Sequence, residues 1–253
     1  MQLFFCKRIF YVGRGAICYN KNMFKKILIF AIFVAVLGLC WGYYVHWKDE
    51  MGRQLVSDAY NGDLLAVKED IEQGAPLTYE FYFDDDERQY YHETFNALQA
   101  AASGGNEDVI SFLIDQGLNI DYPTPKGWTP LFIAARDGQA EAAKLLVFYK
   151  ADLNVQTDLG AAALHMVLTQ PFETEKARRD LLTYMLRRGA DVNILTSENH
   201  SPLYYTLLEE KPELTEIMCR FGARLTEAEK ANLTEQEKAT FGLSDEQRQA
   251  CDF

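Results

Sequence analysis

The fold is decided by residues 127–138, which read GWTPLFIAARDG. Thr129 is placed to cap a helix through its hydroxyl, and Pro130 then occupies the first helical position, where a missing N–H costs nothing. Leu131 falls on the face that a short helix buries. Gly138 supplies the left-handed conformation that ends such a helix. The stretch therefore predicts a short, capped helix with one apolar face.

The same pattern recurs along the chain at a fixed period. The central leucine is found at Leu98, Leu131 and Leu164, separated each time by one period of about 33 residues. It returns at Leu203 after the same period lengthened by a six-residue insertion. A closing Gly-Ala turn recurs in step with it. The recurrence predicts a stack of similar units, at about 51–77, 94–121, 125–154, 158–193 and 197–225.

The 127–138 stretch and the period of its leucine resemble the ankyrin signature G-x-T-P-L-H-x-A-A-x-x-G. The resemblance covers roughly 170 residues, and it implies an all-α ankyrin-repeat solenoid of about five repeats whose surface recognises proteins without chemistry of its own. The first unit is degenerate and is expected to cap the stack. Residues 226–253 are expected to close it as a short helical cap, because Thr226-x-x-Glu229 and Thr234-x-x-Glu237 form capping boxes.

A charge-free apolar run, 27–45, is long enough to cross a bilayer as a helix. Lys25 and Lys26 precede it and Asp49 follows, so positive charge stays on the cytoplasmic side and the repeats face the periplasm. We expect a single-pass inner-membrane signal anchor over 23–47. The alternatives are a cleaved signal peptide, a lipoprotein modified at Cys40, and a buried helix of a soluble protein.

The true start of the chain is open between Met1 and Met23, so 1–22 is either a cytoplasmic basic segment or a start-site extension. Residues 48–225 then form the repeat domain. Charge divides at the anchor: 1–47 carries six basic residues and no acid, which leaves 19 basic and 37 acidic residues and a net charge of −18 after it. Such an acidic domain argues against nucleic acid and favours a partner with a basic surface.

The residues give no sign of an enzyme. The four histidines have no partner at metal or triad spacing, and His165 stands where the signature has its structural histidine. The five cysteines match no zinc or disulfide framework, so Cys219 is interpreted as a small buried residue and stability is expected not to depend on disulfides. No catalytic residue, metal or cofactor is expected.

An insertion between the first two units, 79–91, is rich in aromatic and acidic residues. It occupies the hairpin position beside the inner face of such stacks, where aromatics supply contact area and acids attract a basic partner. The alternative is that its aromatics pack over the first repeat. Trp128 is expected to project from its turn on the same side. The predicted partner-binding residues are Tyr79, Phe81, Tyr82, Phe83, Asp84, Asp85, Asp86, Glu87, Tyr90, Tyr91, Trp128 and Phe132.

An anchored, acidic repeat stack facing outward is similar to bacterial envelope proteins of the immunity type. That resemblance implies a protein that neutralises a secreted antibacterial effector in the periplasm, such as a toxin or phospholipase. The alternative function is an envelope scaffold or accessory protein that organises a complex without inhibiting an enzyme.

Overall fold

The computed structural model describes residues 9–12, 15–18, 21–82 and 94–232. These divide into two units, 1–50 and 51–253. The N-terminal unit contains two antiparallel strands, β1 (Ile9–Val12) and β2 (Gly15–Cys18), followed by the start of α1 (Lys21–Asn61). Phe10 pairs with Ile17 in this hairpin. The sequence pattern gave no indication of it.

In its described residues, the second unit contains five helix pairs, as the leucine period predicts. The last residues of α1, from Met51, pair with α2 (Leu64–Glu72). The following pairs are α3 (Ala97–Gly104) with α4 (Glu107–Asp115), α5 (Pro130–Arg136) with α6 (Ala140–Phe148), α7 (Ala163–Thr169) with α8 (Glu175–Arg187), and α9 (Pro202–Leu208) with α10 (Pro212–Arg220). A short α11 (Glu227–Asn232) follows.

One continuous core runs through the pairs. The inner helices α3, α5, α7 and α9 pack on one another in chain order, and the outer helices α4, α6 and α8 do the same. The periodic leucines Leu98, Leu131, Leu164 and Leu203 all lie buried in this core. The helices from α2 onward are each too short to be stable alone in water, so the stacking supplies the stability of the unit.

Each inner helix begins with a side chain that satisfies its free backbone N–H groups. Thr129 Oγ1 accepts from the N–H of Phe132, as predicted. Asn96 and Gln99 form a reciprocal capping box with bonds of 2.8 and 2.9 Å. In the fourth unit the cap residue is Ala162, and its N–H donates instead to Nδ1 of His165 at 3.0 Å. The histidine is therefore structural.

The turns that close the repeats are joined by a ladder of side-chain to backbone hydrogen bonds. The N–H of Asp152 donates to Asp121 Oδ1, that of Asp191 to Asn154 Oδ1, and that of Arg224 to Asn193 Oδ1, at 2.7–2.9 Å. Because equivalent positions are linked from one repeat to the next, the ends of the outer helices lie side by side.

The C-terminal side of the stack is closed by Glu229. Its carboxylate accepts from the N–H and the hydroxyl of Ser201, at 2.7 and 2.9 Å, and from the N–H of Thr226 at 2.7 Å. Thr226 Oγ1 accepts in return from the N–H of Glu229, which completes the predicted capping box. The second predicted box, from Thr234, lies outside the described residues. Glu229 thus caps α9 and α11 together.

One cysteine differs from what the sequence predicts. Cys219 is buried at the end of α10, as expected, but it is disulfide-bonded, which its interpretation as a simple small buried residue did not include. Cys40 is free and exposed. The five scattered cysteines gave no framework pattern, since pairing depends on how distant segments come together in space.

Candidate functional site

Two short paired strands lie on either side of the central part of the 79–91 insertion. β3 (Phe81–Tyr82) pairs antiparallel with β4 (Thr94–Phe95), with Phe81 opposite Phe95. The insertion is therefore an extension of the turn that leads from the first repeat to the second. Its central part lies outside the described residues, and with it the predicted contacts Phe83, Asp84, Asp85, Asp86, Glu87, Tyr90 and Tyr91.

The described base of the insertion is fixed to the first three repeats. Tyr79 is half-buried against the core, and its ring lies so close to Gly52 that a Cβ there would overlap it. Glu80 accepts hydrogen bonds from Tyr122 Oη at 2.8 Å and from Thr94 Oγ1 at 3.2 Å. Tyr79 therefore packs over the first repeat, as the alternative interpretation has it. Glu80 joins the insertion to the turn that contains Tyr122.

Trp128 does not project into solvent. It is only 8% exposed and packs with Phe95, Phe132 and Ile133 in a small second cluster, its ring 5.8 Å from that of Phe132. The prediction of an outward Trp128 ring is wrong, and Phe132 is buried too. The backbone N–H of Trp128 donates to Thr124 Oγ1 at 3.2 Å, and the indole packs on Phe132 of the inner helix α5.

Arg136 forms the polar edge of this second cluster. Its guanidinium carbon lies 4.8 Å from the centre of the Trp128 ring and 5.7 Å from that of Phe95. The guanidinium also makes two hydrogen bonds to Asp137, at 2.7 and 2.8 Å, and Asp137 accepts from Ser103 Oγ at 2.5 Å. A stacked and doubly bonded guanidinium is held in one orientation. The side chains of Arg136 and Asp137 are themselves only 9% and 7% exposed, so this polar network holds the second cluster in place from within the stack.

Partly exposed side chains that were not among the predicted contacts lie on α7, on α9 and in the turn before α9. Met166 and Tyr205 occupy, in the fourth and fifth repeats, the position that Ile133 has in the third. His200 stacks on Tyr204 with ring centres 4.8 Å apart and meets Tyr205 edge-on at 6.0 Å. We call His200, Tyr204 and Tyr205 the inner aromatic row. The repeat period itself was the signal that could have found these positions.

Burial lowers the pKa of His165 to about 4, although backbone hydrogen bonds at Ala162 and Ile194 act in the opposite direction. The imidazole is therefore neutral at pH 7. On α2, burial together with the neighbouring Asp58 raises the pKa of Asp70 to about 6. Neither group lies in a cluster suited to catalysis. Within the described residues, no three His, Cys, Asp or Glu side chains are grouped to hold a metal ion.

The family comparison agrees with this geometry. The model of the family described as "Ankyrin repeats (3 copies)" matches residues 55–157, which hold the first three helix pairs. The chain contains ankyrin repeats. The fourth and fifth ankyrin pairs continue the same stacking, and a six-residue insertion in the fourth lengthens the interval from Leu164 to Leu203.

Several known ankyrin-repeat proteins are similar to part of the chain. Probable 26S proteasome regulatory subunit p28 of Saccharomyces cerevisiae is 31% identical over 121 residues, 46% of this chain and 50% of that protein. Protein phosphatase 1 regulatory subunit 12A of Rattus norvegicus is 32% identical over 110 residues, and RelA-associated inhibitor of Mus musculus is 28% identical over 173. The chain spans half of the yeast protein and only 10% and 19% of the other two.

The ankyrin fold brings part of the predicted site together. Trp128 and Phe132 lie in one cluster with Phe95, beside the hairpin that carries the insertion. The finger turns at 124–128, 157–161 and 196–200 follow one design, in which a threonine hydroxyl accepts the N–H four residues on. Ankyrin repeats of this kind form protein–protein interaction modules.

Proposed function

We propose that this chain is a membrane-anchored immunity protein. Its repeats bind and neutralise a secreted antibacterial effector, such as a phospholipase, on the periplasmic side of the inner membrane. The observation that carries the proposal is the union, in one chain, of ankyrin repeats and a helix apolar enough to span a membrane. A recognition surface held at the membrane is suited to intercepting a protein that attacks the membrane.

The N-terminal unit supports the anchor. The helix from Leu28 meets the length and composition of a membrane span, and its apolar window is fully exposed. The same features fit a signal sequence. Trp41, Tyr44 and Trp47 form a chain of rings 6.2 Å apart, and Lys48 lies 5.3 Å from the Tyr44 ring centre. Amphipathic rings and a nearby cation are typical of a membrane–water interface, which favours the retained anchor.

The disulfide of Cys219 supports export of the repeats. Structural disulfides persist in oxidising compartments such as the bacterial periplasm, and thiols in the cytosol are kept reduced. The basic residues before the apolar run and the acidic residues after it favour the same orientation.

Inhibition by binding is consistent with the molecule's surface and its relatives. The partly exposed, mutually stacked rings of the inner aromatic row offer anchors of the kind that dominate protein interfaces. The acidic insertion suits a basic partner. One relative is named an inhibitor, which is the class of role proposed here. The predicted contacts of the insertion remain part of the proposed interface.

Site-specific crosslinking tests the proposal. A photoreactive amino acid at Tyr205 should capture one envelope protein, whereas the same group at Leu65, which is exposed on α2, should not. The captured protein is then assayed for phospholipase activity and toxicity with and without this chain. Inhibition that is lost in a Tyr204→Ala/Tyr205→Ala variant is the expected result. A captured protein with activity that this chain leaves unchanged would contradict the immunity function.

That last outcome would favour the second candidate, an envelope scaffold or accessory protein. The names of the yeast and rat relatives favour it specifically, because both are called regulatory subunits of larger enzymes. A scaffold holds its partners together without reducing their activity. The same crosslinking and activity assay therefore separates the two functions.

A further inference from the structure

The last residues of the outer helices change character along the stack. They are Glu72 and Asp115 in the first two repeats, Phe148 in the third, and Arg187 and Arg220 in the last two. A basic residue there complements the helix dipole, but an acidic one opposes it. The dipole therefore does not explain the series. The series of last residues instead describes a surface that is acidic at one end of the stack and basic and apolar at the other.

Aromatic side chains accompany the basic ones at this end. Phe148 is 62% exposed and Phe221 is 38% exposed. Arg188, directly after α8, lies with its guanidinium carbon 4.9 Å from the ring centre of Tyr184. We call Phe148, Lys150, Arg187, Arg188, Phe221 and Arg224 the basic-aromatic rim. The hydrogen-bond ladder between Asn154, Asp191, Asn193 and Arg224 aligns these turns side by side.

Lys150 adds a cation at a position where lysine is unfavourable. It has a φ of 68°, and the equivalent residues of the other repeats, Gly74, Gly117, Gly189 and Gly222, are glycines with positive φ. A left-handed backbone costs a side-chain-bearing residue about 1–2 kcal/mol relative to glycine. A strained residue retained at a surface turn points to a role for its side chain.

The acidic residues of the same turns do not cancel the positive charge of the basic-aromatic rim. Asp152 and Asp191 follow in the same turns, where each accepts a backbone N–H two residues on and keeps its negative charge, but these two acids are outnumbered by the four cations of the rim. Glu216 forms an ion pair with Arg220. The cations Lys150, Arg187, Arg188 and Arg224 remain on a domain whose overall charge is strongly negative. Screening over about 8 Å in physiological salt keeps a local patch effective despite distant acids.

We propose that the basic-aromatic rim binds anionic lipid headgroups. Arginine and lysine attract the phosphates, and exposed aromatic rings favour the headgroup layer. Lipid is the occupant that the chain itself supplies, because the proposed anchor keeps the repeats within reach of a membrane surface at high effective concentration. The inference rests on the anchor of the proposed function, but not on inhibition of an effector. Lipid contact would fix which face of the stack is left open to a partner.

Hydrogen exchange of the full chain in lipid nanodiscs tests this. Amides of the turns at 148–150, 187–189 and 220–224 should exchange about tenfold more slowly in nanodiscs containing phosphatidylglycerol than in nanodiscs of phosphatidylcholine alone. High salt should remove the difference. Arg187→Gln/Arg188→Gln should remove it too, and Phe148→Ser should reduce it. The matched control, Lys176→Gln/Arg179→Gln at the start of the same helix, should leave it unchanged.

Equal exchange rates in both lipids would overturn the proposal. So would a difference that the control variant removes as fully as Arg187→Gln/Arg188→Gln does. Protection that appears only when an acidic protein is added would assign the rim to a protein partner instead, and so overturn it. If the chain does not stay with the nanodiscs, the anchor of the proposed function fails. The soluble chain should then still sediment with phosphatidylglycerol vesicles through the rim, and its failure to do so would overturn the lipid site separately.

Discussion

Trp128 shows how one side chain can be given the wrong role by its position in a motif. It precedes a capping threonine, where the chain turns, yet it is buried between Phe132 and the guanidinium of Arg136. We predict that Trp128→Ala lowers the free energy of unfolding by about 3–5 kcal/mol, because a buried indole leaves a cavity. Denaturant unfolding measures this. A loss below that of the exposed Leu159→Ala would contradict the burial.

His165 should make the stability of the repeats depend on pH. Its pKa falls from 6.5 to about 4 on folding, so below pH 6.5 the unfolded chain binds a proton that the folded chain does not. The contribution of neutral His165 to the free energy of unfolding is fully present above pH 6.5. It is lost as the pH falls towards 4, and the total loss is on the order of 3 kcal/mol. Unfolding free energies measured at pH 7 and pH 4.5 test this.

The matched variant for that measurement is His165→Gln. Gln99 occupies the equivalent position in the second repeat, and its Oε1 accepts the cap N–H of Asn96 at 2.8 Å. Glutamine therefore keeps the cap and removes the titration. The variant should lose less stability than the wild-type protein between pH 7 and pH 4.5. An identical loss in both proteins would show that other groups cause the acid sensitivity.

At the scale of the elements, α10 is held by more than its packing. Cys219 lies near its end and is disulfide-bonded. Removing a native disulfide typically costs about 2–5 kcal/mol. We predict that Cys219→Ser lowers the melting temperature of the oxidised protein, and that dithiothreitol lowers that of the wild type to a similar value. Equal melting temperatures for oxidised wild type and variant would contradict a stabilising role.

The elements were largely predictable from the sequence, and the site only in part. Thr129, Pro130 and the recurring leucines act within one helix or its nearest turn, so their spacing sufficed to place the five helix pairs. The burial of Trp128 depends on contact with Phe95 from a distant segment, which spacing does not encode. The 79–91 insertion was correctly placed as a hairpin extension, since β3 pairs with β4 around it. Tyr204 and Tyr205 were missed although the period marks their positions.

For the whole molecule, the separation of charge predicts how a partner is bound. The acids Asp84, Asp85, Asp86 and Glu87 should speed association with a basic partner, because long-range attraction raises the encounter rate. Replacing all four with Ser should slow association several-fold at low salt and change dissociation little. Surface plasmon resonance with the captured partner measures both rates. A slower association that does not depend on salt would contradict electrostatic attraction.

The compartment of the repeats is the point on which the account depends most directly. If the apolar helix holds the repeats in the periplasm, alkaline phosphatase fused after Phe253 should be active, and a fluorescent reporter that folds only in the cytoplasm should be dark at the same position. Both fusions should remain in the inner-membrane fraction after a carbonate wash. An active cytoplasmic reporter with inactive phosphatase would contradict the proposed orientation, and with it the proposed role as a periplasmic immunity protein.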